Sequence, residues 1–93
     1  LASKKIPNRL DFVSPGHIFP CRAASNLLLE RKGHTEAAVA LCKYANIPEC
    51  ALICEIMADD GNMLNWEGLK KFAIKWKLDL ISIQDIIDFQ SKI

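Results

Sequence analysis

Much that would announce a function is missing from this chain. Lys and Arg number 12 against 11 Asp and Glu, a net charge of +1. No global field therefore draws it to nucleic acid or to an anionic membrane surface. No apolar run approaches the ~18 residues of a membrane span, since Glu49 and Glu55 bracket the longest one. Lys4 and Lys5 have no apolar segment behind them, so no secretory signal is read there. Cys21, Cys42, Cys50 and Cys54 form neither a CxxC pair nor a zinc-type spacing. Three of them lie in apolar stretches, and the expectation is buried free thiols in a reducing cytosol rather than disulfides or a cysteine metal site. Repeats and low-complexity segments are absent. At 93 residues, beginning with Leu1, the chain is one domain or part of one, with a small core.

What is present alternates. Residues 1–13, with Pro7, read as a connector, and Ser14-Pro15-Gly16-His17 as a turn. Residues 18–22 are bounded by prolines and read as an extended sheet edge, and residues 26–30 as a short buried strand. From Thr35 to Ala45 the pattern is helical. Ala38, Leu41, Cys42 and Ala45 form the inward stripe, Glu36 and Lys43 fall outside it, and Asn46 and Pro48 end it. Residues 51–57 are apolar on both faces except for Glu55 and make the strongest strand candidate.

Asp59-Asp60-Gly61-Asn62 is a turn, which is the simpler reading of its paired carboxylates. Asn65 caps a helix whose stripe of Trp66, Leu69, Phe72, Ala73 and Trp76 reads as core, with Glu67 and Lys71 paired outside. Lys70, Lys71, Lys75 and Lys77 form a solvated face, with no basic surplus elsewhere to indicate nucleic acid. Residues 78–83 read as another strand, and Ser82 with Asp85 caps a last helix. This order predicts an α/β or α+β fold, a mixed sheet with flanking helices.

The most chemically loaded stretch is Glu30-Arg31-Lys32-Gly33-His34-Thr35-Glu36-Ala37. Cations, a glycine, a histidine and a capping hydroxyl stand where a helix begins, and the free N–H groups and positive dipole end of a helix attract anions. A phosphate or carboxylate site is the functional reading; a capped helix with a satisfied histidine is the bland one. His17 is either an exposed loop histidine or a functional side chain presented by a turn. Glu55 is either a buried carboxylate, paid for by use or pairing, or a strand-end residue that reaches solvent or a lysine.

Three blocks in order tip the balance. Pro15-Gly16-His17-Ile18-Phe19-Pro20, Arg31-Lys32-Gly33-His34-Thr35-Glu36-Ala37 and Ile53-Cys54-Glu55-Ile56-Met57-Ala58-Asp59-Asp60-Gly61 closely resemble 3,4-dihydroxy-2-butanone 4-phosphate synthase of riboflavin biosynthesis. The closing residues 80–87 also resemble that family's C-terminal segment. The likeness implies that residues 14–93 are the C-terminal part of a single, larger synthase domain. It implies a cytoplasmic homodimeric lyase converting ribulose 5-phosphate to 3,4-dihydroxy-2-butanone 4-phosphate and formate with magnesium or manganese. Carried over by position, Arg31, Lys32, Gly33, His34, Thr35 and Glu55 would contact substrate. His34 would also bind metal, and His17 and Glu55 would be essential to the chemistry.

One departure matters. The family draws a further metal ligand and several substrate contacts from an acidic loop near its N-terminus, and no such loop exists in these residues. A single imidazole is a weak handle on magnesium, which prefers oxygen ligands. The expectation is a chain inactive by itself, completed by an N-terminal half. The alternative is a non-catalytic module of the same fold that binds sugar phosphate or serves dimerisation.

Overall fold

The computed structural model of the protein describes Ile6 and residues 8–93. The first residues of the expected connector, 1–5 and Pro7, lie outside the described residues. Two compact units divide the chain, Leu1–Leu52 and Ile53–Ile93.

In the first unit, a 3-10 turn at Arg9–Asp11 is closed by a reciprocal cap: Asn8 Oδ1 accepts from Leu10 N–H and Asp11 Oδ2 accepts from Asn8 N–H. A second 3-10 turn, Leu27–Leu29, occupies the place expected for a buried strand. An apolar run this short does not distinguish a strand from a turn. Here the backbone folds back, with Leu27 N–H donating to Ala24 O and both Glu30 N–H and Arg31 N–H donating to Leu27 O. Leu28 is thereby buried while Leu29 stays exposed.

Helix α1, His34–Tyr44, packs on that turn. Its inward side is Glu36, Ala37, Ala40 and Cys42, with Tyr44 half-buried. Of the expected stripe only Cys42 is buried. The true face is rotated by about one residue, which on a helix is roughly 100°. Asn46 ends α1 as expected, in the left-handed region at φ 56°. Its N–H donates to Lys43 O and that of Ile47 to Cys42 O, the paired closure of a Schellman motif.

In the second unit, helices α2 (Trp66–Trp76) and α3 (Ile83–Ser91) start where their caps predict. Asn65 Oδ1 accepts from Gly68 N–H at 2.8 Å, and Ser82 with Asp85 forms a capping box. Ile86 is buried, and Phe72, Ala73, Leu80, Ile83 and Ile87 are half-buried around the helices. The stripe on α2 is not the core expected of it, since no residue of that helix is fully buried and Trp66 and Trp76 are exposed. Glu67 pairs with Lys70 rather than Lys71.

The expected mixed sheet is overturned. Among the described residues there is no strand, only an isolated antiparallel bridge between Met57 and Met63. That bridge flanks the 59–62 turn, where Gly61 takes φ 89° and Asp60 Oδ1 accepts from Asn62 N–H, so Asp60 is a turn residue as read. A strand exists only through a neighbour's ladder of hydrogen bonds. Apart from Glu55, residues 51–56 have apolar side chains suited to burial on both faces, but the described residues supply no second strand to pair with them. Their side chains are accordingly exposed.

Candidate functional site

The joint before α1 is built by two side chains, one backbone N–H and a missing side chain. Glu36 is the most buried polar residue described, at 1% exposure. One carboxylate oxygen accepts from Ala24 N–H at 2.9 Å and the other from an Arg31 guanidinium nitrogen at 2.8 Å. The Ala24 N–H, then the Arg31 guanidinium, hold the Glu36 carboxyl below the usual glutamate range despite its burial. Gly33 caps α1 with φ −106° and ψ 164°, a conformation open to any L residue, so its backbone does not require glycine. The space beside it is filled instead: a Cβ at this position would meet the Arg31 guanidinium and the Glu36 carboxylate, and their side-chain ends would have to shift.

The expected hydroxyl cap is not made. Gly33 is the N-cap and Thr35 lies inside the helix, half-buried. The first helical hydrogen bond is that of Ala37 N–H to Gly33 O, and the Glu36 N–H faces its own carboxylate, so His34 and Thr35 offer the N–H groups without acceptors. His34 and Lys32 are exposed beside them, and the Arg31 side chain is 67% exposed. The arrangement is an anion-attracting corner: a guanidinium with unused donors next to an uncapped helix start.

His17 belongs to the same unit, on the loop after Gly16, and is exposed. Among the described residues, the side chains of His17 and His34 have no hydrogen-bond or ion-pair partner. Glu55 lies in the second unit and is exposed, so the reading of it as a desolvated carboxylate does not hold for this chain. Cys42 alone of the cysteines is buried; Cys21, Cys50 and Cys54 are exposed, and all four are free thiols. Among the described residues, no three His, Cys, Asp or Glu side chains gather to hold a metal ion. No helix of the described residues is long and apolar enough to cross a membrane.

Glu36 is the residue that sequence reasoning passed over. A charge off the apolar stripe reads as solvated, and the buried face lies one residue earlier than that stripe. The available signal is local: Arg31 and Glu36 flank a glycine, and Glu36 is one helical turn before Ala40 on a side made otherwise of alanines and Cys42.

Comparison with known proteins gives this corner its context. A statistical model of the family described as 3,4-dihydroxy-2-butanone 4-phosphate synthase matches residues 1–89. A protein of that name from Oceanobacillus iheyensis is 45% identical over 82 residues, which are 88% of this chain and 40% of that protein. Riboflavin biosynthesis protein RibBA of Aquifex aeolicus is 48% identical over 80 residues, 86% of this chain and 20% of that protein. A crystal structure of 3,4-dihydroxy-2-butanone 4-phosphate synthase from Candida albicans superposes with a TM-score of 0.89 at 36% identity, covering 94% of this chain and 45% of that one. The chain belongs to the 3,4-dihydroxy-2-butanone 4-phosphate synthase family. It spans less than half the length of these relatives.

Proposed function

We propose that this chain is the C-terminal part of a lyase that converts ribulose 5-phosphate to 3,4-dihydroxy-2-butanone 4-phosphate and formate in riboflavin biosynthesis. One carbon leaves as formate and no co-reactant is consumed, so the enzyme's work is to bind the phosphate, move protons and hold vicinal oxygens. Arg31, with the N–H groups at the start of α1 and the Thr35 hydroxyl, binds the phosphate. Lys32, Gly33 and His34 complete that side of the pocket. Enolisation beside the ketone needs a base and an acid, the roles given to Glu55 and His17. The observation that carries the reading is the Arg31 guanidinium held beside the uncapped start of α1, within the stretch that the family matches.

The family resemblance brings a divalent cation, magnesium or manganese, with His34 as a ligand. The residues of this chain do not make that site: His34 is a lone exposed imidazole, and no three donors cluster among the described residues. The oxygen ligands of such an ion would come from the N-terminal half of the synthase. That gap favours the second reading for the chain in isolation, a sugar-phosphate-binding module without turnover. Exposed Ile53, Ile56, Met57 and Met63 support completion of the second unit by further protein; homodimer assembly and a cytoplasmic location are what the family resemblance implies.

Formate release from ribulose 5-phosphate tests this. A complete synthase carrying these residues is expected to turn over only with a divalent ion, and the isolated chain not at all. His34→Ala or Glu55→Ala should lower turnover by about a hundredfold or more while leaving thermal unfolding unchanged. Robust turnover by either variant would refute its assigned role.

A further inference from the structure

We propose that Glu36 is a positioning residue: it does not touch substrate but fixes the Arg31 guanidinium in the orientation that receives the substrate phosphate. The inference rests on the proposed function, which gives Arg31 that ligand, and adds a residue and a steric requirement to it. Glu36 is a buried ionisable group with no direct part in the proposed chemistry. Both of its oxygens are committed, one to Ala24 N–H at 2.9 Å and one to Arg31 at 2.8 Å.

Burial is unequal across the pair, with 2% of the Glu36 side chain exposed against 67% of that of Arg31. The ion pair is therefore oriented, carboxylate inward and guanidinium outward. Guanidinium carries five N–H donors in a rigid fork, and the contact with Glu36 leaves others facing solvent. An unanchored arginine at an exposed turn loses rotamer freedom when it binds an anion, whereas an anchored one has already lost it. The carboxylate does subtract positive charge near the phosphate. It lies behind the guanidinium, however, so the incoming anion meets the positive end of the pair first. Gly33 makes the placement available, because a side chain there would occupy the space that the pair fills. Ala24 N–H holds the second carboxylate oxygen, so Glu36 also ties the segment after Cys21 to α1.

A mutant cycle in a complete synthase carrying these residues provides the test. Arg31→Ala should raise KM for ribulose 5-phosphate about tenfold to a hundredfold, the loss expected for charge-assisted hydrogen bonds. Glu36→Gln retains an oxygen for Ala24 N–H and removes the charge, and should raise KM about tenfold with a smaller change in kcat. Gly33→Ala, which displaces the guanidinium without altering charge, should do the same. Neither should add anything in the Arg31→Ala background. If Glu36→Gln and Gly33→Ala raise KM equally with and without Arg31, or leave KM unchanged with Arg31 present, the positioning role is overturned while the phosphate reading stands. If Arg31→Ala leaves KM unchanged, the phosphate reading itself fails and the positioning role fails with it. Should Glu36→Gln not fold, the Gly33→Ala arm decides by the same criterion.

Discussion

Helices α1 and α2 are each eleven residues long, yet the one with the clearer apolar stripe buries less. On α2 the stripe is assembled from large side chains, Trp66, Leu69, Phe72 and Trp76. None is fully buried, and two lysines lie over the indole rings, Lys70 at 6.0 Å from the Trp66 centroid and Lys75 at 5.3 Å from that of Trp76. On α1 the inward side is Ala37, Ala40, Cys42 and a glutamate, and all four are buried. The difference is the partner. Small side chains let α1 close against the Leu27–Leu29 turn, and the one charge on that side is satisfied twice. A stripe records that a helix needs a neighbour, and burial records that it has one.

Substitutions can break that contrast. Leu28→Ala, beneath α1, should cost about 2–5 kcal/mol by urea denaturation, as for other buried leucines. Ile74→Ala, on the exposed side of α2, should stay within about 0.5 kcal/mol. Equal losses would show that α2 is packed in solution after all.

Acid should weaken both units, since Asp85 in the capping box of α3 is also held low, by Ser82 N–H first and the Ser82 hydroxyl next, and the first unit's share can be isolated at Glu36. Glu36 has its carboxyl held low, by Ala24 N–H first and Arg31 next. A group depressed on folding stabilises fully above the unfolded carboxylate range and loses that contribution as pH falls through its folded value. The wild-type melting temperature should therefore drop as pH falls below about 4, and the drop should be shallower in Glu36→Gln. Parallel curves would remove Glu36 from the acid limb.

The smallest effect belongs to the caps. Ser82→Ala removes the acceptor for Asp85 N–H, and should cost about 1 kcal/mol in thermal melts of α3 while leaving the first unit's acid response unchanged.

The helices were legible in the sequence because their signals are local. Asn46, Asn65 and Ser82 act within a few residues of themselves, and each does in the structure what its position implies. The strands were not legible in the same sense. Alternation and apolar character along residues 51–57 and 78–83 describe side chains fit for a sheet, but a sheet depends on residues elsewhere. For the site, the charges at the α1 joint were visible as a cluster. What escaped was direction: Glu36 turns inward because Arg31 and Ala24 meet it there, and no periodicity of α1 alone contains that information. Glu55 failed the opposite way, since apolar neighbours in sequence are not burial in space.

The aromatic residues also make the two halves separately visible. Trp66 and Trp76 are the chain's two tryptophans and both lie in Ile53–Ile93, while its one tyrosine, Tyr44, is the last residue of α1. Tryptophan emission thus reports only the second unit, and tyrosine absorbance only the first. Unlabelled protein carries its own pair of optical probes, and the order in which the halves melt can be read from a single sample.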